Sequence, residues 1–223
     1  MSAPLPPRAV VFDLDGLMFN TEELYQDVGT ELLRRRGHKF TAELLDAMMG
    51  RPNRVALQIM IDWHGLTDTV DILTTETDEI FPAILAARLA PMPGVPELLA
   101  ALERAGIPKA IATSSRRSFV TSVLARFGWE PRFNFILTCE DVTHGKPHPE
   151  IYLRAAERFG LRPEEVAVLE DSQTGSQAGA AAGSRVISVP AGHSRRHDFS
   201  VATLIADSLA DPRVYELLGI EQT

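Results

Sequence analysis

Five short apolar runs govern what this chain can fold into: AVVF (9–12), PKAIA (108–112), FNFILT (133–138), EVAVL (165–169) and SRVISV (184–189). Each is nearly continuous rather than alternating, as in strands covered on both faces by helices. Amphipathic segments lie between them. VPELLAALERAG (95–106) opens with Pro and Glu and closes on Gly106, PEIYLRAAERFG (149–160) closes on Gly160, and GSQAGAAAG (175–183) closes on Gly183. A glycine just past an apolar-periodic run is a helix stop. Strand and helix therefore alternate. This predicts an α/β fold, a doubly wound parallel sheet whose ligands bind at the carboxyl ends of the strands.

Residues 17–92 break the alternation. They offer helix-like stretches at 22–36, 41–49, 54–64 and 70–89 and no strand pattern, and Leu24, Val28 and Leu32 share one helix face. The expectation is a small helical domain over 17–92, inserted into an α/β domain made of 1–16 and 93–223. The hinges are expected near Leu17–Asn20 and Pro91–Gly94.

Bulk properties exclude several classes. The net charge is −8 and no basic block occurs, which argues against a nucleic-acid partner. No run approaches the roughly 18 apolar residues of a membrane span, and MSAPLPPRA lacks the layout of a signal peptide. Cys139 is the single cysteine, which excludes an intrachain disulfide and is expected to be plain packing. A soluble, cytoplasmic protein is the resulting expectation, with a monomer as the default.

The chemistry gathers at the ends of the apolar runs. Asp13 and Asp15 follow the first, and side chains at i and i+2 of an extended segment point the same way. An EF-hand loop is excluded, since Leu17 and Met18 stand where it needs a ligand and a glycine. Taken alone, the pair also fits two solvated turn aspartates. Thr113, Ser114 and Ser115 follow the second run as candidate anion ligands or helix caps. Lys146 lies in a stiff Gly-Lys-Pro loop, and Glu170 and Asp171 end the fourth run. Carboxylates at two strand ends suit Mg²⁺, and the lysine and hydroxyls suit a phosphate. His144, His148 and His193 read as scattered loop residues that form no metal site.

Asp-x-Asp-Gly (13–16), Thr113, Lys146 in Gly-Lys-Pro, and Glu170-Asp171-Ser172 together resemble the haloacid dehalogenase-like hydrolases, in the family's motif order. The helical insert is similar to the cap of the phosphoglycolate phosphatase and β-phosphoglucomutase branch. DGLMFNTEELY with ATSSR also resembles the pseudouridine-5′-phosphatase type. The resemblance implies a Mg²⁺-dependent phosphatase acting on a small phosphate ester, a sugar or nucleotide monophosphate. Asp13 would be the nucleophile that becomes an aspartyl-phosphate, ionised at an ordinary carboxyl pKa near ~4. Asp15 would be the general acid and then the base, its main-chain carbonyl also reaching the metal. Thr113, Ser114 and Lys146 would hold phosphate, and Asp13, Asp15, Glu170 and Asp171 the Mg²⁺. In the cap, Arg51, Arg54 and Tyr25 are candidate substrate contacts.

Three alternatives stay open. A phosphomutase of the β-phosphoglucomutase type is disfavoured, because Tyr25 stands where that pattern has His and residues 65–92 hold no Lys. A catalytically silent phosphate-binding protein is disfavoured by the intact Asp13 and Asp15. A dehalogenase proper needs neither the second Asp nor the metal-binding acids. Asn20 stands where the family often has Asp.

Overall fold

A computed structural model describes residues 5–48 and 53–222. Its contacts divide the chain into two compact units, one of residues 1–19 and 91–223, the other of residues 20–90.

The larger unit is built on six parallel strands: β1 (Ala9–Phe12), β2 (Lys109–Ala112), β3 (Ile136–Leu137), β4 (Val166–Glu170), β5 (Arg185–Ser188) and β6 (Leu204–Ile205). Their order across the sheet is β3-β2-β1-β4-β5-β6. Val11 pairs with Ala110 on one side and Val168 on the other, which makes β1 central. Every residue of β1, β2 and β4 is buried, as expected of strands covered on both faces. The chain leaves β1 toward β2 and β3 and later returns on its other side to β4. The gap beyond the ends of β1 and β4 is therefore a topological switch point, where open α/β sheets place their ligands.

Helices α5 (Val95–Arg104), α6 (Arg117–Phe127), α7 (Glu150–Phe159) and α8 (Gln173–Ala181) precede β2, β3, β4 and β5 in turn, and α9 (Pro212–Leu218) follows β6. One face of the sheet, including Ala9, Val11, Val166 and Val168, packs against Tyr152 and Ala155 of α7 and Ala178 of α8. The sixth strand escapes the sequence pattern because two residues are too short to show a period. The helix expected from Gly175 begins earlier, at Gln173, with the Ser172 side chain accepting from Gly175 N–H as its cap.

The smaller unit contains α1 (Thr21–Arg35), α2 (Ala42–Met48), α3 (Asn53–His64) and α4 (Val70–Arg88). Val28 and Leu32 of α1, Leu44 of α2, Leu57 and Met60 of α3, and Leu73 and Ile80 of α4 form its own apolar core. Leu24 is buried on the same face of α1, as the four-residue spacing predicts. Arg36 bridges Asp68 at 2.8 Å and Glu76 at 2.6 Å. Among the described residues, no helix is long and apolar enough to cross a membrane.

Candidate active site

The strand order brings the sequence-predicted residues together. Asp13 continues β1 by donating its N–H to Leu169 O of β4, and Thr113 continues β2 by donating to Leu137 O of β3. Gly16 then turns the chain out of the sheet at φ 77°, a left-handed conformation that side chains rarely adopt. Glu170 is the last residue of β4, and Asp171 follows it. Three adjacent strands thus deliver Asp13, Asp15, Thr113, Glu170 and Asp171 to one edge.

Lys146 arrives from the loop between β3 and α7. Its ammonium donates to Asp13 Oδ1 at 2.5 Å, Glu170 Oε1 at 2.6 Å and Ala112 O at 3.0 Å. Tyr152 Oη donates to the same Glu170 oxygen at 2.6 Å. Ser172 supplies both its N–H (3.2 Å) and its hydroxyl (2.9 Å) to Glu170 Oε2. A Cβ on Gly175 would stand 1.8 Å from Glu170 Oε1, so only glycine lets α8 approach this carboxylate so closely.

One ammonium does not neutralise this many acids. Asp13, Glu170 and Asp171 are all buried, and one ligand oxygen from each lies within 4.8 Å of the others. Burial pushes the Asp13 carboxyl well above its usual range; Lys146 opposes the shift, and Glu170 and Asp15 add to it. The ordinary pKa expected for Asp13 is therefore corrected: it does not hold in the pocket without a further cation. Burial also works against the Lys146 charge, but Asp13, Glu170 and Tyr152 outweigh it and hold the ammonium well above the ordinary lysine value. Three buried carboxylates with oxygen donors only, short of positive charge, fit a hard divalent cation such as Mg²⁺.

Asp15 has different partners. Its Oδ2 accepts from Ser115 Oγ at 2.6 Å and from Thr113 Oγ1 at 3.2 Å, whereas its buried Oδ1 has no hydrogen-bond partner among the described residues. The side chain of Asp15 is thus turned to hydroxyls and lies outside the three-carboxylate group. Ser115, rather than the exposed Ser114, supplies the hydroxyl. The sequence signal for Ser115 was its place in the same Thr-Ser-Ser run; nothing in one sequence separates the two serines.

The cap candidates belong to the helical unit. Tyr25, about half exposed, stacks on Phe81 at 4.8 Å within the helical unit. Arg54 pairs with Asp71 at 2.7 Å, both largely exposed. Arg51 lies outside the described residues. Cys139 is exposed, against the expectation of packing, because the chain has left β3 for a turn capped by Thr138. His144 and His148 are not scattered: their rings lie 4.6 Å apart.

Residues 10–189 match the family model of the haloacid dehalogenase-like hydrolases. The chain belongs to that family. A phosphorylated carbohydrates phosphatase of Thermotoga maritima is 33% identical over 79% of this chain and 82% of its own. The bifunctional riboflavin kinase/FMN phosphatase of Arabidopsis thaliana is 31% identical over 92% of this chain, which spans about half, 54%, of that longer protein. Among solved structures, a haloacid dehalogenase family hydrolase of Deinococcus radiodurans with bound phosphate and sodium is 28% identical, with a TM-score of 0.82 over 98% of this chain and 99% of that one. The family match extends from β1 through β5 and so covers every residue of the buried acid and lysine group.

Proposed function

We propose that this hydrolase is a Mg²⁺-dependent phosphatase that cleaves a small phosphomonoester, a sugar or nucleotide monophosphate, through an aspartyl-phosphate on Asp13. The observation that carries the reading is the single buried group in which Lys146 touches both Asp13 and Glu170 while Asp171 stands beside them. The phosphatase and the phosphate-bound hydrolase among the similar proteins support the same reaction class.

Asp13 attacks phosphorus, forming its acyl-phosphate bond as the ester oxygen leaves. Asp15 gives that oxygen a proton. Its Oδ2 is anchored by Ser115 and Thr113, which leaves the unpaired Oδ1 for the transfer. The same carboxylate then takes a proton from water, whose oxygen attacks phosphorus, releases phosphate and restores Asp13. Lys146 offsets the negative charge of the phosphoryl oxygens, while Thr113, whose one hydroxyl proton goes to Asp15, acts through that acid. Asp13, Glu170 and Asp171 would hold Mg²⁺, with Asp15 contributing through its main chain. When bound, the ion supplies positive charge to the phosphoryl group and to the crowded acids.

The test is phosphate release from p-nitrophenyl phosphate with and without Mg²⁺. Wild type is expected to turn over only with the metal, and Asp13→Asn to be inactive. Activity that survives chelation or Asp13→Asn overturns the proposal. Glucose 6-phosphate formed from β-glucose 1-phosphate faster than phosphate is released would establish the mutase instead.

A further inference from the structure

We propose that His144, His148 and Glu150 form a second metal site, for a borderline dication such as Zn²⁺, on the exposed side of the loop that delivers Lys146. The two imidazoles are tilted 35° to each other with centroids 4.6 Å apart. One ligand atom from each of the three residues lies within 4.8 Å of the others. The mixed imidazole and carboxylate donors match Zn²⁺ and its neighbours in the first transition row. They do not match Mg²⁺, which prefers oxygen alone. The chain therefore carries two metal-ligating groups of different softness, one buried and all-carboxylate, the other exposed and histidine-rich.

The carboxylate of the second group is held in place before any ion arrives. Glu150 Oε1 accepts from Thr143 N–H at 3.0 Å and from Arg154 at 2.7 Å. Oε2 accepts from His144 N–H at 2.9 Å and lies 3.2 Å from His144 Nδ1. Arg154 thus occupies the oxygen away from the imidazoles and leaves Oε2 directed at them. Such outer partners orient a ligand and raise the affinity of a site. His148 Nδ1 receives only a long contact, 3.3 Å, from Glu150 N–H.

Zinc bonds of about 2.0–2.1 Å put neighbouring ligand atoms roughly 3.4 Å apart, close to the 3.2 Å already between His144 Nδ1 and Glu150 Oε2, so an imidazole need only adjust within a group already inside 4.8 Å. The exposed imidazoles, with the His144 side chain at 63% exposure, have the freedom to do so. Three protein ligands leave a fourth position to water, which makes the site exchangeable. Because His144 and His148 bracket Lys146, an ion held by both clasps the short segment whose lysine reaches Asp13 and Glu170.

The experiment is calorimetric titration of the untagged full chain with ZnCl₂ in saturating Mg²⁺, comparing wild type with the His144→Ala/His148→Ala double variant. Wild type is expected to bind one equivalent more than the double variant, and each single variant to bind that equivalent at least about tenfold more weakly. Both histidines are exposed, and matching far-UV spectra check that the variants fold. In a parallel imidazole NMR titration, substoichiometric Zn²⁺ is expected to perturb the His144 and His148 rings before the other histidines. Equal Zn²⁺ uptake by wild type and double variant overturns the proposal, as does perturbation of other histidines first. Neither readout uses catalytic turnover, so failure here is separate from failure of the phosphatase reading.

Discussion

Tyr152 donates its hydroxyl proton to Glu170 Oε1 at 2.6 Å, and both side chains are fully buried. Burial, reinforced by the Glu170 charge, holds the phenol well above its ordinary pKa, so it remains a donor throughout the working range. Its ring also lies 5.1 Å from the Lys146 ammonium. Tyr152 is thus a positioning residue for the acid that the proposal gives to Mg²⁺. Tyr152→Phe leaves one donor fewer on a buried charge and is expected to cost about 1–3 kcal/mol in urea unfolding. The Mg²⁺ concentration for half-maximal activity should rise about 10- to 100-fold. If both stay at wild-type values, the hydroxyl does not orient Glu170.

Ser115 makes the shorter of the two hydroxyl contacts to Asp15. If that contact positions the proton-transferring acid, Ser115→Ala should lower kcat by about 10- to 100-fold, the worth of one hydrogen bond to a charged group. KM should change little, because the contact acts on the chemical step. A raised KM at constant kcat would instead make Ser115 a substrate-binding group.

The Arg36 ion pairs make the stability of the helical unit depend on pH. Hydrogen bonds from Arg36 hold both Asp68 and Glu76 below their ordinary carboxyl values. A depressed folded pKa contributes stability that is complete above the unfolded values of about 4 and is lost as pH falls through the folded ones. Arg36→Met is therefore expected to destabilise the protein by about 1–2 kcal/mol at neutral pH, the partly buried case between exposed and buried pairs. The gap between variant and wild type in thermal unfolding should narrow as pH drops below about 4. A gap that widens on acidification would contradict the assignment.

Much of this was legible because the sheet is covered on both faces. β1 and β4 had to be apolar throughout, so their ends, and the acids that follow them, stand out against the runs. Lys146 was legible from its Gly-Lys-Pro setting. Tyr152 was not, since on an amphipathic helix a tyrosine facing inward reads as core, and its partner lies 18 residues away. Ser115 was hidden by Ser114, because only the backbone path after β2 decides which hydroxyl turns inward. The His144–His148 pair was hidden by the loop, which follows no period that would predict where two side chains meet. β6 was too short to show one. The shift on Asp13 depends mostly on burial and in part on Glu170 from another strand, neither of which adjacent residues reveal.

The most direct test of the account is to trap the phosphoryl group. Wild-type protein turning over an aryl phosphate with Mg²⁺ is quenched in acid, reduced with borohydride and mapped by peptide mass spectrometry. The account predicts reduction of an acyl-phosphate at Asp13, dependent on both substrate and metal. Phosphate release with the label on another residue, or with no acyl-phosphate formed at all, would contradict it.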